Sequence, residues 1–190
     1  MNRLASLIDG IIDACRSATK NCASYKDGEG AIRVCVIPQG AWRTEQPEFI
    51  ASKVDRFEAV ARIDPQGNYV LNRGTNDVHR VDTYAFSAMK VATMLHAMEL
   101  EQRYYSGPTR DISVCEGNGF APYLGAICYE LYTYDEISSL VVVSVAGKRE
   151  RDDEFVAKAA INAIYKWCND GPINECGKPI CGYRAPWLQK

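Results

Sequence analysis

Residues 140–155 read LVVVSVAGKRERDDEF. From Leu140 to Ala146 only Ser144 interrupts an apolar, β-branched run. Such a run marks a strand buried on both faces. Gly147 permits a tight turn, and the cationic residues Lys148, Arg149 and Arg151 follow. Asp152, Asp153 and Glu154 then fill the first turn of a helix, where negative side chains complement the exposed N–H groups and the helix dipole. A strand, a glycine, basic residues and a helix start also suit an anion cradle. Here the acids already occupy the terminus and compete with any anionic ligand. The stretch therefore reads as a strand–turn–helix junction, with its basic residues solvated or paired with the acids. It informs on the fold, and the site is to be sought elsewhere, around residues 73–90.

Working outward, the helix that starts near Asp152 has an apolar face of Val156, Ala159, Ala160, Ala163, Ile164 and Trp167. Residues 3–20 form a first helix, with Leu4, Leu7, Ile8, Ile11, Ile12 and Cys15 at helical spacing. AIRVCVI at 31–37 is a short strand, and 38–53 reads as a long loop. RFEAVARID and YVLNRG flank the turn DPQGN and make a β-hairpin. The longest helical segment, 81–105, is apolar on several sides and so central, with Asp82 or Thr83 as N-cap and SGP at 106–108 as terminator. DISVCEG and PYLGAICYELYTY are further strands. Strands pair as neighbours and helices come between groups. This order predicts an α+β domain, an antiparallel sheet flanked by helices, over 1–168. Three prolines and three glycines in 170–186 make 169–190 an irregular tail.

The 190 residues are 47% hydrophobic, enough for a real core, and the net charge is −2. That balance speaks against a general nucleic-acid binder. No segment approaches the ~18–20 apolar residues of a membrane span. Asp9 and Asp13 interrupt the N-terminal apolar pattern, unlike a secretory leader. The expectation is a soluble, cytoplasmic protein. Of the eight cysteines, Cys15, Cys22, Cys35, Cys115 and Cys128 lie in or beside predicted elements and read as small buried groups. Cys168, Cys176 and Cys181 have no CxxC spacing; packing or a disulfide is expected there, with zinc as the alternative.

Several polar groups fall between the hairpin and the central helix: Arg73, Asp77, His79, Arg80, Asp82 and Tyr84. They read as a solvated loop, or as a pocket rim in which Arg73 or Arg80 grips a carboxylate or phosphate. His79 is better placed for function than His96, which reads as a partly buried structural residue. Lys90 sits among apolar neighbours. It either snorkels to water or is desolvated, and its pKa then falls unless an acid pairs with it. Cys115, in a glycine-containing loop, lacks an assignable base.

The hairpin has the form D-x-x-G-x-x-V-x-x-R (Asp64 to Arg73), the central helix carries S-x-x-K-x-x-T (Ser87, Lys90, Thr93), and VSVAG precedes a helix opening with Asp152-Asp153. Over roughly residues 3–167 this order resembles the GlcG/HbpS-like family, also called the haem-degrading or PduO C-terminal-like domain. The chain departs from that pattern in having SVAGK where the family has SGG. The resemblance implies a profilin-like, three-layer fold, a homo-oligomer, and a small ligand such as haem, a corrinoid or another anionic metabolite. Lys90, Arg73, Arg80 and Tyr84 are then the ligand-binding candidates. The alternative is an enzyme using the same pocket, with Lys90 as acid–base or electrophilic group and His79, Arg80 or Tyr84 positioning substrate. A third reading is an interaction module with the tail as its contact. Haem is the one cofactor named by the resemblance, and no metal site is assigned.

Overall fold

The computed structural model describes residues 3–22, 25, 30–38, 57–62, 83–107, 123–133, 136–147, 149–173, 175–176 and 179–188. The elements are α1 (Arg3–Thr19), β1 (Ala31–Pro38), β2 (Phe57–Arg62), α2 (Thr83–Glu101), β3 (Ala126–Thr133), β4 (Glu136–Ala146), α3 (Glu150–Lys158), α4 (Ala160–Asn169) and β5 (Cys181–Arg184), followed by a 3-10 turn at Pro186–Leu188. The strands form one sheet in the order β2-β1-β4-β3-β5. Every neighbouring pair is antiparallel.

β4 lies at the centre, and the unbroken valines follow from that position. Val141, Val143 and Val145 pack with Leu7 and Ile11 of α1, Val156 of α3 and Ile164 of α4. Leu140 and Val142 point the other way, to Val91, Met94 and Leu95 of α2. Successive strand side chains face opposite sides, so one strand serves both cores. The result is three layers: α2, the sheet, and α1 with α3 and α4. The α+β class and the layered arrangement expected from the sequence are what the chain adopts. Among the described residues, no helix is long and apolar enough to cross a membrane.

Three expectations need correction. α2 does not run to Ser106–Pro108. It stops at Glu101, because Gln102 takes a left-handed conformation (φ 51°). The chain beyond is claimed by β3: Ser106 N–H donates to Ala126 O at 2.8 Å and Cys128 N–H to Tyr104 O at 2.9 Å. Next, the helix expected from Asp152 starts at Glu150 and breaks at Ala159 into α3 and α4. The buried Tyr129 sits under the break, its hydroxyl donating to Ala157 O at 3.1 Å and Lys158 O at 3.2 Å.

The third correction concerns 169–190, which is not wholly irregular. Cys181–Arg184 forms the edge strand β5 against β3. Arg184 closes on the buried Glu130 through Nε at 2.6 Å and Nη2 at 2.5 Å. Trp187 meets Tyr129 edge-on, with ring centroids 5.9 Å apart. A four-residue strand bracketed by prolines is too short to show alternation. Gly182 also belongs to the pairing, since a Cβ there would collide with the ring of Tyr132.

Of the expected hairpin only the first strand, β2, is described; the strands at 69–74 and 111–117 lie outside the described residues, as does nearly all of 38–53. The seven described cysteines are thiols. Cys15, Cys22, Cys35, Cys128 and Cys168 are buried, Cys181 is half-buried and Cys176 is exposed. Burial pushes the Cys15 thiol up to about 12. Cys115 lies outside the described residues.

Removing the Tyr129 hydroxyl tests the helix break. Tyr129→Phe strips a buried donor from two carbonyls, which should lower stability by roughly 1–3 kcal/mol in urea denaturation while the fold persists. An unchanged midpoint would show that those carbonyls find other partners.

Candidate functional site

β3 and β4 end side by side, at Gly125 and Gly147, and the polar groups of the molecule gather just beyond. Lys90 extends from α2 and is only 3% exposed. Its ammonium donates to Val145 O at 2.9 Å and to Asp153 Oδ2 at 2.6 Å. Asp153, in the first turn of α3, is 2% exposed. It accepts two more hydrogen bonds, from Gly147 N–H at 3.2 Å and from the Tyr25 hydroxyl. Residues from both helical layers and the sheet thus converge on one carboxylate.

Two glycines make room for the pair. Gly125 has φ 124°, and a Cβ there would lie 2.6 Å from Val145 O and 2.8 Å from both Asp153 Cβ and Lys90 Nζ. At Gly147 a Cβ would strike the Tyr25 ring and come within 2.9 Å of Asp153 Oδ1. Gly147 was expected to serve a tight turn; its other requirement is this close approach. Burial raises the Asp153 carboxyl above its ordinary value, while Lys90, the Tyr25 hydroxyl and the Gly147 amide pull it back. Burial raises Tyr25 as well, and the Asp153 charge and hydrogen bond add to the rise, so the phenol stays protonated and donates.

The pair forms the floor of a cleft of about 190 Å³, walled by Thr83 and Phe86 of α2, by Tyr123, by Ala146 and Gly147, and by Glu150 at the start of α3. The Phe86 and Tyr123 rings lie 6.0 Å apart, tilted by 50°. Glu150 accepts from Leu124 N–H at 3.2 Å. An ammonium has three donors, and among the described residues two of those on Lys90 are engaged. Ser87 of the S-x-x-K-x-x-T motif ties α2 to the sheet: Ser144 Oγ donates to Ser87 O at 2.8 Å and Arg33 Nε to Ser87 Oγ at 2.9 Å. Thr93 Oγ1 donates within the helix, to Met89 O at 2.9 Å.

Lys90 is therefore the one expected site residue that the described structure places in the cleft. The α2 backbone includes Tyr84, whose side chain lies outside the described residues, and so do Arg73, His79 and Arg80. His96 is buried within α2, as a structural residue would be. The sequence reading missed Asp153 as a site residue, along with Thr83, Phe86, Tyr123 and Glu150. For Asp153 a signal existed. It lies on the face shared by Val156, Ala157, Ala160 and Ile164, the buried stripe of α3 and α4, and not on the solvent side of the first turn. Arg149 and Arg151 are exposed, as expected. No group of three metal-ligating side chains is assembled among the described residues.

No protein-family model matches this chain, and neither does any curated protein. Solved structures of similar outline include protein ORFY of Klebsiella pneumoniae, described as a DUF336 protein, at 10% identity and a TM-score of 0.44, over 84% of this chain and 88% of that one. Another is a PduOC–haem complex, at 11% identity and a TM-score of 0.43, over 83% of this chain and 91% of that one.

The Lys90–Asp153 pair has a measurable coupling. Lys90→Met alone leaves a buried carboxylate without its cation and should cost roughly 3–5 kcal/mol, whereas Lys90→Met with Asp153→Leu should regain most of that loss. Urea denaturation of both variants decides it; equal losses would show that the two side chains do not depend on each other.

Proposed function

We propose that this chain binds a small molecule in the cleft between α2 and the start of α3, with Lys90 as its polar anchor. The observation that carries the reading is the buried ammonium on the cleft floor, with two of its three hydrogens engaged among the described residues. A buried charged donor aimed into a partly apolar concavity is the usual construction of a specific small-molecule site. Phe86 and Tyr123 supply apolar surface, and the Thr83 side chain offers a second polar contact.

Size and ligand chemistry favour a metabolite smaller than haem. The cleft's 190 Å³ falls below the ~300–1,000 Å³ of pockets that enclose a drug-sized ligand. Axial haem ligands are His, Cys, Met or Tyr, and Tyr123 is the one lining residue of that kind among the described residues. Lys90 is also matched by Asp153, so the described floor offers no surplus positive charge for propionates or phosphates. An enzymatic role would take one form only. The ion pair keeps Lys90 as a hydrogen-bond donor that polarises a carbonyl, because a Schiff-base lysine must be neutral to attack.

Native mass spectrometry of the purified protein, paired with haem titration, tests this reading. The expected outcome is a retained small ligand, or none, and no Soret shift. A stoichiometric Soret shift that disappears in Tyr123→Phe would replace the small metabolite with haem.

A further inference from the structure

We infer that the ligand is an uncharged, planar carbonyl compound: an aromatic or conjugated amide, aldehyde or ketone. This deepens the binding reading above and rests on it. Among the described residues three charged side chains line the cleft, and these three do not sum to an anion site. Lys90 carries one positive charge, and Asp153 cancels it at 2.6 Å. Glu150 adds a negative charge beside the cleft, fixed there by the Leu124 amide. An incoming carboxylate or phosphate therefore meets a neutral pair and one like charge. A carbonyl oxygen meets neither obstacle, and it accepts the remaining Lys90 hydrogen in a charge-assisted bond.

A cationic ligand fares no better. Among the described residues Asp153 is the one acid on the floor, and Lys90, Gly147 and Tyr25 already donate to it. A cation there would also face the Lys90 ammonium, 2.6 Å from that carboxylate, and Glu150 is exposed, where its charge is screened. What the floor offers is a donor, so the ligand must bring an acceptor.

The planar shape follows from the walls. Phe86 and Tyr123 are tilted by 50° with centroids 6.0 Å apart. A flat ligand that stacks on one ring presents its edge to the other, and both arrangements are favourable for aromatic groups. Ala146 and Gly147, close to the floor, leave the depth for such a plane.

Titration of benzamide, benzoate and acetamide by protein-observed NMR tests the inference, in the native chain and in Glu150→Gln and Phe86→Leu. Both substitutions spare the Lys90–Asp153 pair. Benzamide should bind more tightly than benzoate, and Glu150→Gln should narrow that gap by roughly two- to fivefold, the reach of one exposed charge. Phe86→Leu should weaken benzamide and leave acetamide unchanged. Benzoate binding as tightly as benzamide would overturn the inference, as would a charged molecule found in the purified protein; in both cases the cleft remains a binding site. If none of the probes shifts cleft resonances and no ligand is retained, the inference and the binding reading both fall.

Discussion

Lys90 and Asp153 join helices that lie on opposite faces of the sheet, and the local architecture depends on that contact. α2 covers one face and α3 the other. They can touch only where the sheet stops, past Gly125 and Gly147. The contact therefore fixes where β3 begins, where β4 ends and how α3 starts. Removing two charges from water costs several kcal/mol per ion, and mutual attraction returns that only when the remaining donors and acceptors are also satisfied. Here Tyr25, Gly147 N–H and Val145 O complete the set. In net stability the pair is near neutral. In geometry it is demanding, because few other arrangements of the three layers would satisfy it.

The cleft follows from the same constraint. β4 ends at Ala146, and α3 begins at Glu150. Between them the chain must turn while Gly147 gives its N–H to Asp153 and stays clear of the Tyr25 ring. Thr83 and Phe86 stand on α2 two turns and one turn before Lys90, so they flank the ammonium. With the strand ends pinned by glycines, no side chain among the described residues fills the space between these walls. The hydrogen bonds from Ser144 and Arg33 to Ser87 matter for the same reason. They fix α2 against the sheet one turn from Lys90 and so set the direction of its ammonium.

Much of this was legible in the sequence, and the remainder was hidden for identifiable reasons. The central strand announced itself because burial on both faces leaves no position from Leu140 to Ala146 for a polar residue except Ser144, whose hydroxyl is spent on Ser87 O. α1 was legible from a single stripe. β5 was not, because its stability comes from Glu130, Tyr132 and Tyr129, all distant in sequence, while its own residues are Cys, Gly, Tyr and Arg. The end of α2 was misplaced because Gln102 adopts a conformation that glycine would have signalled. Lys90 was singled out for the right physical reason, a charge among apolar neighbours that calls for an acid. Its partner was overlooked because three acids in a first helical turn have a sufficient local explanation in the helix dipole. Local rules account for Asp152 and Glu154; only the helical face distinguishes Asp153.

A structural ion pair and a ligand anchor make different demands, and on the proposed reading the same atoms meet both. A pair that served only to clasp two helices would gain from being sealed, with every ammonium hydrogen engaged within the protein. Lys90 instead sits on the floor of a concavity, with two hydrogens engaged among the described residues, although it is buried and its charge is compensated. That compensation is what makes it useful. An uncompensated lysine would attract any anion and would shed its proton on burial. One held by Asp153 keeps a fixed direction and needs no rearrangement when an acceptor arrives. Preorganised donors of this sort are worth more in a partly desolvated site than in water, because no solvent must be reoriented to align them. The rigidity that closes the sheet end is therefore the same property that prepares the cleft to discriminate between ligands.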